Sequence, residues 1–319
     1  MVWNSSRCQP LGRLTLTLTA LLGAGASGTA SAQVQAQVQE PASQQLLAPA
    51  AALRTVRDLG YLQTSTGRTA ADPQRSLDLY LPAVSKPAPP LFMYIHGGAW
   101  VSGDKRQYGP LGLALAAQGV AVAIINYRLS GDGADAVRHP QHAQDAATAV
   151  AWLRKHAAEY GYDPARIFVG GHSAGAHMSA MLAFDSSLLA TVGEKPESLR
   201  GFVGLEGIYD LGDLVRRFPS YRVDFLQAAF GSDETTWRLA SPQQLVGAGA
   251  VKRPWLLVHT REDELVDTEQ SRRFKQALEK QAIPVRWQSP ERGSHFSVIG
   301  ELATPRSALA QQLLAFLRS

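Results

Sequence analysis

The reading of the fold turns on residues 167–183, IFVGGHSAGAHMSAMLA, where an apolar run breaks at Gly170-Gly171, passes through Gly171-His172-Ser173-Ala174-Gly175 and continues in small and apolar residues. A serine with a glycine two residues to either side, between a strand-like and a helix-like segment, suits a backbone turn too tight for larger side chains. Such a turn presents Ser173 as a nucleophile if the chain also supplies a base, an acid and an oxyanion site. The pentapeptide by itself is a weak signal in a chain with 28 glycines. Its setting strengthens it: IFVGG reads as a strand ending just before the serine, and AGAHMSAMLA as a helix starting just after it.

The chain on either side repeats this alternation. Strand patterns are predicted at 56–64, 76–81, 91–96, 120–127, 166–170, 201–209, 254–259 and 284–288, and helical patterns at 112–118, 142–160, 174–184, 268–281 and 305–317. VAVAIINY and PWLLVH are continuously apolar, as expected of strands covered on both faces. Strands alternating with helices predict an α/β sheet, parallel in its later part. The first two strands have only the turn-rich STGRTAADPQ between them, which predicts an antiparallel hairpin at one edge. Residues 211–251 are longer than one crossover helix requires and read as a small cap insertion or a decorated connection. Residues 53–319 thus form a single domain.

The start of the chain is not read as fold. Arg7 and Arg13 precede an apolar or small segment at 14–28, and Ala30-Ser31-Ala32 before Gln33 fits a small-residue cleavage site. Residues 1–32 are therefore expected to be a signal peptide, with export to the periplasm or the medium. The apolar core is too short for a membrane anchor, so no stable membrane insertion is expected after cleavage. The Gln-, Ala- and Pro-rich residues 33–52 read as a flexible leader. The one cysteine, Cys8, lies within the expected signal peptide, which rules out disulfides, cysteine-based zinc sites and a cysteine nucleophile in the processed chain. A net charge of +4 over the whole chain gives no argument for nucleic acid.

The remaining catalytic parts are sought around the serine. FMYIHGGAW ends another strand in His96-Gly97-Gly98-Ala99-Trp100, where two glycines let the backbone approach a substrate oxygen. The amides of Gly97 and Gly98, with that of Ala174 at the helix start, form the candidate oxyanion hole. Of 8 histidines, His295 in ERGSHFSVI follows the last strand in a Gly-Ser loop and is the candidate base. The acid is expected just past the preceding strand, in PWLLVHTREDELVD. Asp263 is preferred there, with Val266 re-entering the core three residues on, and Glu262 is its rival. Trp100, His172 and Phe296 are candidate pocket residues; Trp100, with Phe218, Tyr221 and Phe225 of the cap, equally suits a core. His139 and His142 flank a proline at a spacing poor for a metal, and no nucleotide-binding glycine motif is present, so neither metal nor cofactor is expected.

The order Ser173, Asp263, His295 is that of the α/β hydrolases. From about residue 58 onward the chain resembles that superfamily, and most closely its esterase and arylformamidase branch. His96 to Trp100, Gly171 to His177, His295-Phe296 and the NYRLS that follows the fourth strand carry the likeness. The same motifs are similar to those of bacterial feruloyl and acetyl-xylan esterases, while Ala99 stands where the hormone-sensitive-lipase branch has a third glycine. The resemblance implies a mostly parallel eight-stranded sheet and a Ser-His-Asp serine hydrolase acting on a small-molecule ester, with small or aryl groups. Competing readings are an arylformamidase, whose usual intracellular substrate fits poorly with export, a peptidase, and a catalytically silent binding module.

Overall fold

The structure is a computed structural model. It describes residues 53–62, 72–83, 86–131, 133 and 136–319, so the expected signal peptide and leader lie outside the described residues. Eight strands form one sheet: β1 Arg54–Gly60, β2 Ser76–Leu81, β3 Leu91–Ile95, β4 Ala121–Ile125, β5 Ile167–His172, β6 Gly201–Leu205, β7 Trp255–Val258 and β8 Val285–Gln288. Their spatial order is β1-β2-β4-β3-β5-β6-β7-β8. The β1–β2 and β2–β4 pairs are antiparallel, and every pair from β4–β3 to β7–β8 is parallel. The edge hairpin is therefore as expected. The antiparallel β2–β4 pairing is an addition that the strand patterns did not specify.

Alternate residues of each strand feed two cores. Met93, Ile95, Ala123, Val169 and Leu257 point to one face, where the helices Gln141–Tyr160, Ala174–Phe184 and Glu269–Lys280 cover them. Phe92, Tyr94, Val122, Phe168 and Leu256 point to the other, under Gly109–Ala116, Ser297–Leu302 and Ala308–Leu317. This explains the unbroken apolar runs of the central strands, since period-2 alternation vanishes when both faces are buried. Boundaries follow local chemistry. Gly161, at φ 82°, closes the Gln141–Tyr160 helix in a left-handed cap. The last helix starts at Ala308 rather than 305 because the Ser307 hydroxyl accepts from the Ala310 N–H at 3.0 Å.

Between β6 and β7, the segment expected as a cap consists of the short helices Leu211–Arg217, Gln227–Phe230, Glu234–Leu239 and Pro242–Leu245, with a π-helical turn at Arg222–Leu226. Phe218, Tyr221 and Phe225 stack in sequence there, and Phe225 reaches Trp100 at 6.2 Å between ring centroids. No helix among the described residues is long and apolar enough to cross a membrane.

A buried ion pair ties the edge hairpin to the loop after β3. Lys105 is 1% exposed, and its ammonium lies 2.5 Å from Asp78 of β2 and 2.5 Å from Asp58. Asp58 sits in an irregularity of β1 at φ 55°, and its N–H also donates to Asp78 at 2.9 Å. Lys105→Met removes the buried cation from a fully buried Asp78 carboxylate, leaving it the largely exposed Arg57 at 3.4 Å and the Asp58 N–H. Urea unfolding should show a loss of about 3–5 kcal/mol, with part of it recovered when Asp78→Asn is added. A loss within ~0.5 kcal/mol, typical of a surface change, would contradict this account of the hairpin.

Candidate active site

The serine turn is built by close packing. β5 ends at His172, Ser173 adopts φ 55° and ψ −118°, and the Ala174–Phe184 helix starts at the next residue. A Cβ on Gly171 would lie 2.4 Å from the Ile95 carbonyl oxygen, and one on Gly175 only 2.0 Å from it. Both glycines are needed because the end of β3 passes against the turn. The Ser173 N–H donates to Leu205 O at 2.8 Å, and the Ser173 carbonyl accepts from His177 N–H at 3.1 Å, fixing the turn from both sides.

The loop after β3 lies beside it. A Cβ on Gly97 would come 3.2 Å from Ser173 Cβ. Gly98 has φ 117°, and Ala99 and Trp100 follow at 52° and 62°. Glycine takes this region freely, but Ala99 and Trp100 do so at a cost and are held by their surroundings. Here Val101 and Ser102 N–H both donate to Gly98 O, at 3.1 and 3.0 Å, and Tyr127 Oη donates to His96 O at 3.2 Å. Gly97 and the first amide of the helix, that of Ala174, thus border Ser173. That amide lacks an intrahelical acceptor because it opens the helix.

His295 Nδ1 donates to Asp263 Oδ2 at 2.7 Å, with both side chains almost wholly buried. Asp263, rather than Glu262, meets the histidine; Glu262 is exposed and accepts at 3.4 Å from Gly293 N–H. Asp263 Oδ1 accepts from Leu265 and Val266 N–H at 2.8 and 2.9 Å. Burial works against its ionisation, but hydrogen bonds from His259, His295 and Val266 outweigh it and hold the carboxyl well below the usual carboxylate range. His295 lies beside the serine turn: His172 Nε2 contacts His295 O at 2.7 Å, and the two rings are 4.4 Å apart. The Ser297–Leu302 helix, which strand and helix periodicity did not indicate, follows directly.

Two of the three pocket candidates are buried. Trp100 is 0% and His172 1% exposed, which leaves neither a surface to offer a substrate. Trp100 packs edge-on to His177 and Phe230 at 5.0 and 4.8 Å, behind the loop it belongs to. His172 supports the His295 backbone, and burial pushes its own imidazole down to about 3, so it stays neutral. Phe296 does reach solvent, at 61% exposure.

Two residues of the site escaped the sequence reading. His259, at the end of β7, lies 3.2 Å from Asp263 Oδ2 through Nε2. Glu206, just past β6, lies 3.3 Å from the same nitrogen and accepts from Thr260 N–H at 3.1 Å with both oxygens. Burial, and after it the Asp263 charge, push the Glu206 carboxyl up to about 9. The signal was present as one acid in the apolar run GFVGLEGIY. Glu206, His259 and Asp263 bring ligand-type atoms within 4.8 Å of one another. However, the Val266 carbonyl can only accept and lies 2.9 Å from His259 Nε2, so that nitrogen carries a hydrogen rather than a free lone pair.

Comparison with known proteins agrees with this architecture. A family model described as BD-FAE matches residues 77–278. Esterase LipC of Mycobacterium tuberculosis is 34% identical over 255 residues, covering 76% of this chain and 60% of that protein. A probable isoprenylcysteine alpha-carbonyl methylesterase of Arabidopsis thaliana, ICMEL1, is 32% identical over 65% of this chain and 45% of its own length. Kynurenine formamidase avaC of Aspergillus versicolor is 32% identical over 60% of this chain and 76% of its own. The chain spans about half the length of the plant relatives it matches, 45% in the case of ICMEL1. Among solved structures, esterase B from Lactobacillus rhamnosis superimposes with a TM-score of 0.69 at 22% identity, over 83% of this chain and 84% of that one. Esterase 2 of Thermogutta terrifontis, phosphorylated by paraoxon, gives 0.60 at 23%, over 84% and 92%. Those two likenesses establish the fold, and the family match, which takes in the serine turn and Asp263, establishes that the chain belongs to the BD-FAE family within the α/β hydrolases.

Proposed function

We propose that the protein is a serine hydrolase of carboxylic esters, with Ser173 as nucleophile, His295 as base and Asp263 as the acid that orients it. The observation that carries this reading is the 2.7 Å bond from His295 Nδ1 to a buried Asp263, beside a serine held at φ 55° between strand and helix. With Nδ1–H committed to the carboxylate, His295 Nε2 is the nitrogen left to take a proton. Ser173 Oγ attacks the ester carbonyl carbon and its proton passes to Nε2. The oxyanion is bound by amides from Gly97, Gly98 and Ala174, each worth about a hundred- to a thousandfold in rate. Collapse expels the alcohol, which takes the proton from His295. A water then loses its proton to His295, attacks the acyl-enzyme and releases the acid. The names of the esterase relatives support the ester reading. The aromatic ladder of Phe218, Tyr221 and Phe225 beside the loop supports small or aryl substituents.

A second reading, hydrolysis of an N-formyl arylamine by the same three residues, is favoured by the likeness to kynurenine formamidase avaC. A silent binding module is disfavoured because all three positions hold competent side chains. Export is part of the proposal and is supported by Arg7, Arg13, the apolar run at 14–28 and Ala30-Ser31-Ala32.

With p-nitrophenyl acetate, butyrate and octanoate, and N-formylkynurenine as competitor, ester turnover should fall at least about a thousandfold in Ser173→Ala. Asp263→Asn should lose about a thousand- to ten-thousandfold, whereas Glu262→Gln, on the surface, should stay within about twofold. Preferential cleavage of the formyl amide would move the assignment to an amidase, and equal losses at Glu262 and Asp263 would overturn the choice of acid. Amino-terminal sequencing of protein recovered from outside the cytoplasm should begin at Gln33; a start at Met1 would refute export by cleavage.

A further inference from the structure

Behind the Asp263–His295 pair lies a carboxylic acid to which the reaction above gives no task. Glu206 is 0% exposed and takes φ 48°, a left-handed backbone that a residue with a Cβ adopts at a cost. Both its oxygens accept from one amide, that of Thr260, at 3.1 Å, and a carboxyl oxygen lies within 4.8 Å of one of Asp263. The titratable groups facing it are Asp263, His259 and Tyr209, with His295 and His172 behind Asp263. None of these is a lysine or arginine. His259 is already bonded at both nitrogens, Nδ1 to Ser271 Oγ at 2.7 Å and Nε2 to Val266 O at 2.9 Å.

Two carboxyl groups within 4.8 Å of each other and away from water do not both carry a charge, so one keeps its proton. Asp263 accepts from two amides and from His295, whereas Glu206 shares one amide between two oxygens, and His259 Nε2 is nearly equidistant from both carboxyls at 3.2 and 3.3 Å. The negative charge therefore sits on Asp263 and the proton on Glu206.

We propose that Glu206 is a positioning residue of this site, a neutral carboxylic acid whose O–H donates to the Asp263 carboxylate and holds it in the orientation that receives His295 Nδ1–H. This rests on the hydrolytic reading above. A charged Glu206 would place a second anion near His295, strengthen the imidazole's hold on its proton and swing Asp263 away. Neutral, it leaves one charge in the pocket and closes the ring of donors around it.

Glu206→Gln keeps the shape and a donor but cannot titrate; Glu206→Ala removes both. The sign of the pH effect follows from a folded carboxyl raised from 4.5 to about 9. Stability contributed by the neutral acid is complete below the unfolded value and is lost as pH rises to the folded one. The unfolding constant of the native protein relative to Glu206→Gln should therefore rise about tenfold per pH unit between about 5 and 9. In thermal unfolding, the Tm advantage of Glu206→Gln should widen across that range and then level off. A constant gap would mean that Glu206 is already ionised, and would overturn the proposal.

Orientation is read separately, from the low-field proton NMR signal of His295 Nδ1–H. It should persist in Glu206→Gln and weaken or shift in Glu206→Ala; no change in Glu206→Ala would overturn the positioning role. On p-nitrophenyl acetate, Glu206→Ala should lower kcat about ten- to a hundredfold, and Glu206→Gln should recover most of that loss without moving the acid limb of the pH profile. An acid limb displaced by about one pH unit in Glu206→Gln would show that a charge had been removed, against the proposal. Zinc chloride titrated into the protein should give no binding heat; tight binding abolished in Glu206→Gln would replace the proposal with a metal site. The Tm and NMR arms need no turnover, so failure of this proposal and failure of the hydrolytic reading can be told apart.

Discussion

The end of β3 passes so close to the turn after β5 that the Ile95 carbonyl oxygen occupies the space where a side chain on Gly171 or Gly175 would stand. Much of the site depends on that contact. It bends the chain at Ser173 into a conformation that a serine adopts only under constraint, and it sets the Gly97-Gly98 segment beside the serine. The same loop is anchored farther along by Lys105, whose buried pairing with Asp78 and Asp58 ties it to the antiparallel edge. Strain at the site is thus opposed by packing and by a buried ion pair well away from it.

Electrostatically, the neighbourhood is a low-dielectric pocket with one charge held in place. Burial pushes the imidazoles of His96, His172 and His177 down to about 4, 3 and 3, which keeps them neutral structural groups. The Asp263 carboxylate is the exception. Its cost of burial is offset by amides from its own loop and by two histidines. A buried anion with so many fixed donors has little freedom to rotate, and His295 inherits that order through one short bond.

The sequence made the α/β alternation, all eight strands and the edge hairpin legible, because central strands buried on both faces lose their alternation and stand out as apolar runs. Ser173, Asp263 and His295 stood out through position relative to strand ends. Less was visible where a residue's role depends on a distant partner. His259 reads as a strand terminus and Glu206 as a stray acid, and only folding brings both to Asp263. Trp100, in the loop after β3, and His172, beside the serine, read as pocket residues because of the motifs they belong to, yet both side chains are buried. The Ser297–Leu302 helix was missed because six residues carry too little periodicity to read.

The central claim is that Ser173 is a nucleophile activated by His295 and Asp263. Its most direct test is to treat the folded protein with a p-nitrophenyl alkylphosphonate, which an activated serine displaces, and to map the adduct by mass spectrometry. The account predicts one adduct per chain, on Ser173 within residues 167–183, forming far more slowly in His295→Ala. An adduct on another residue, or labelling of Ser173 at an unchanged rate without His295, would contradict it.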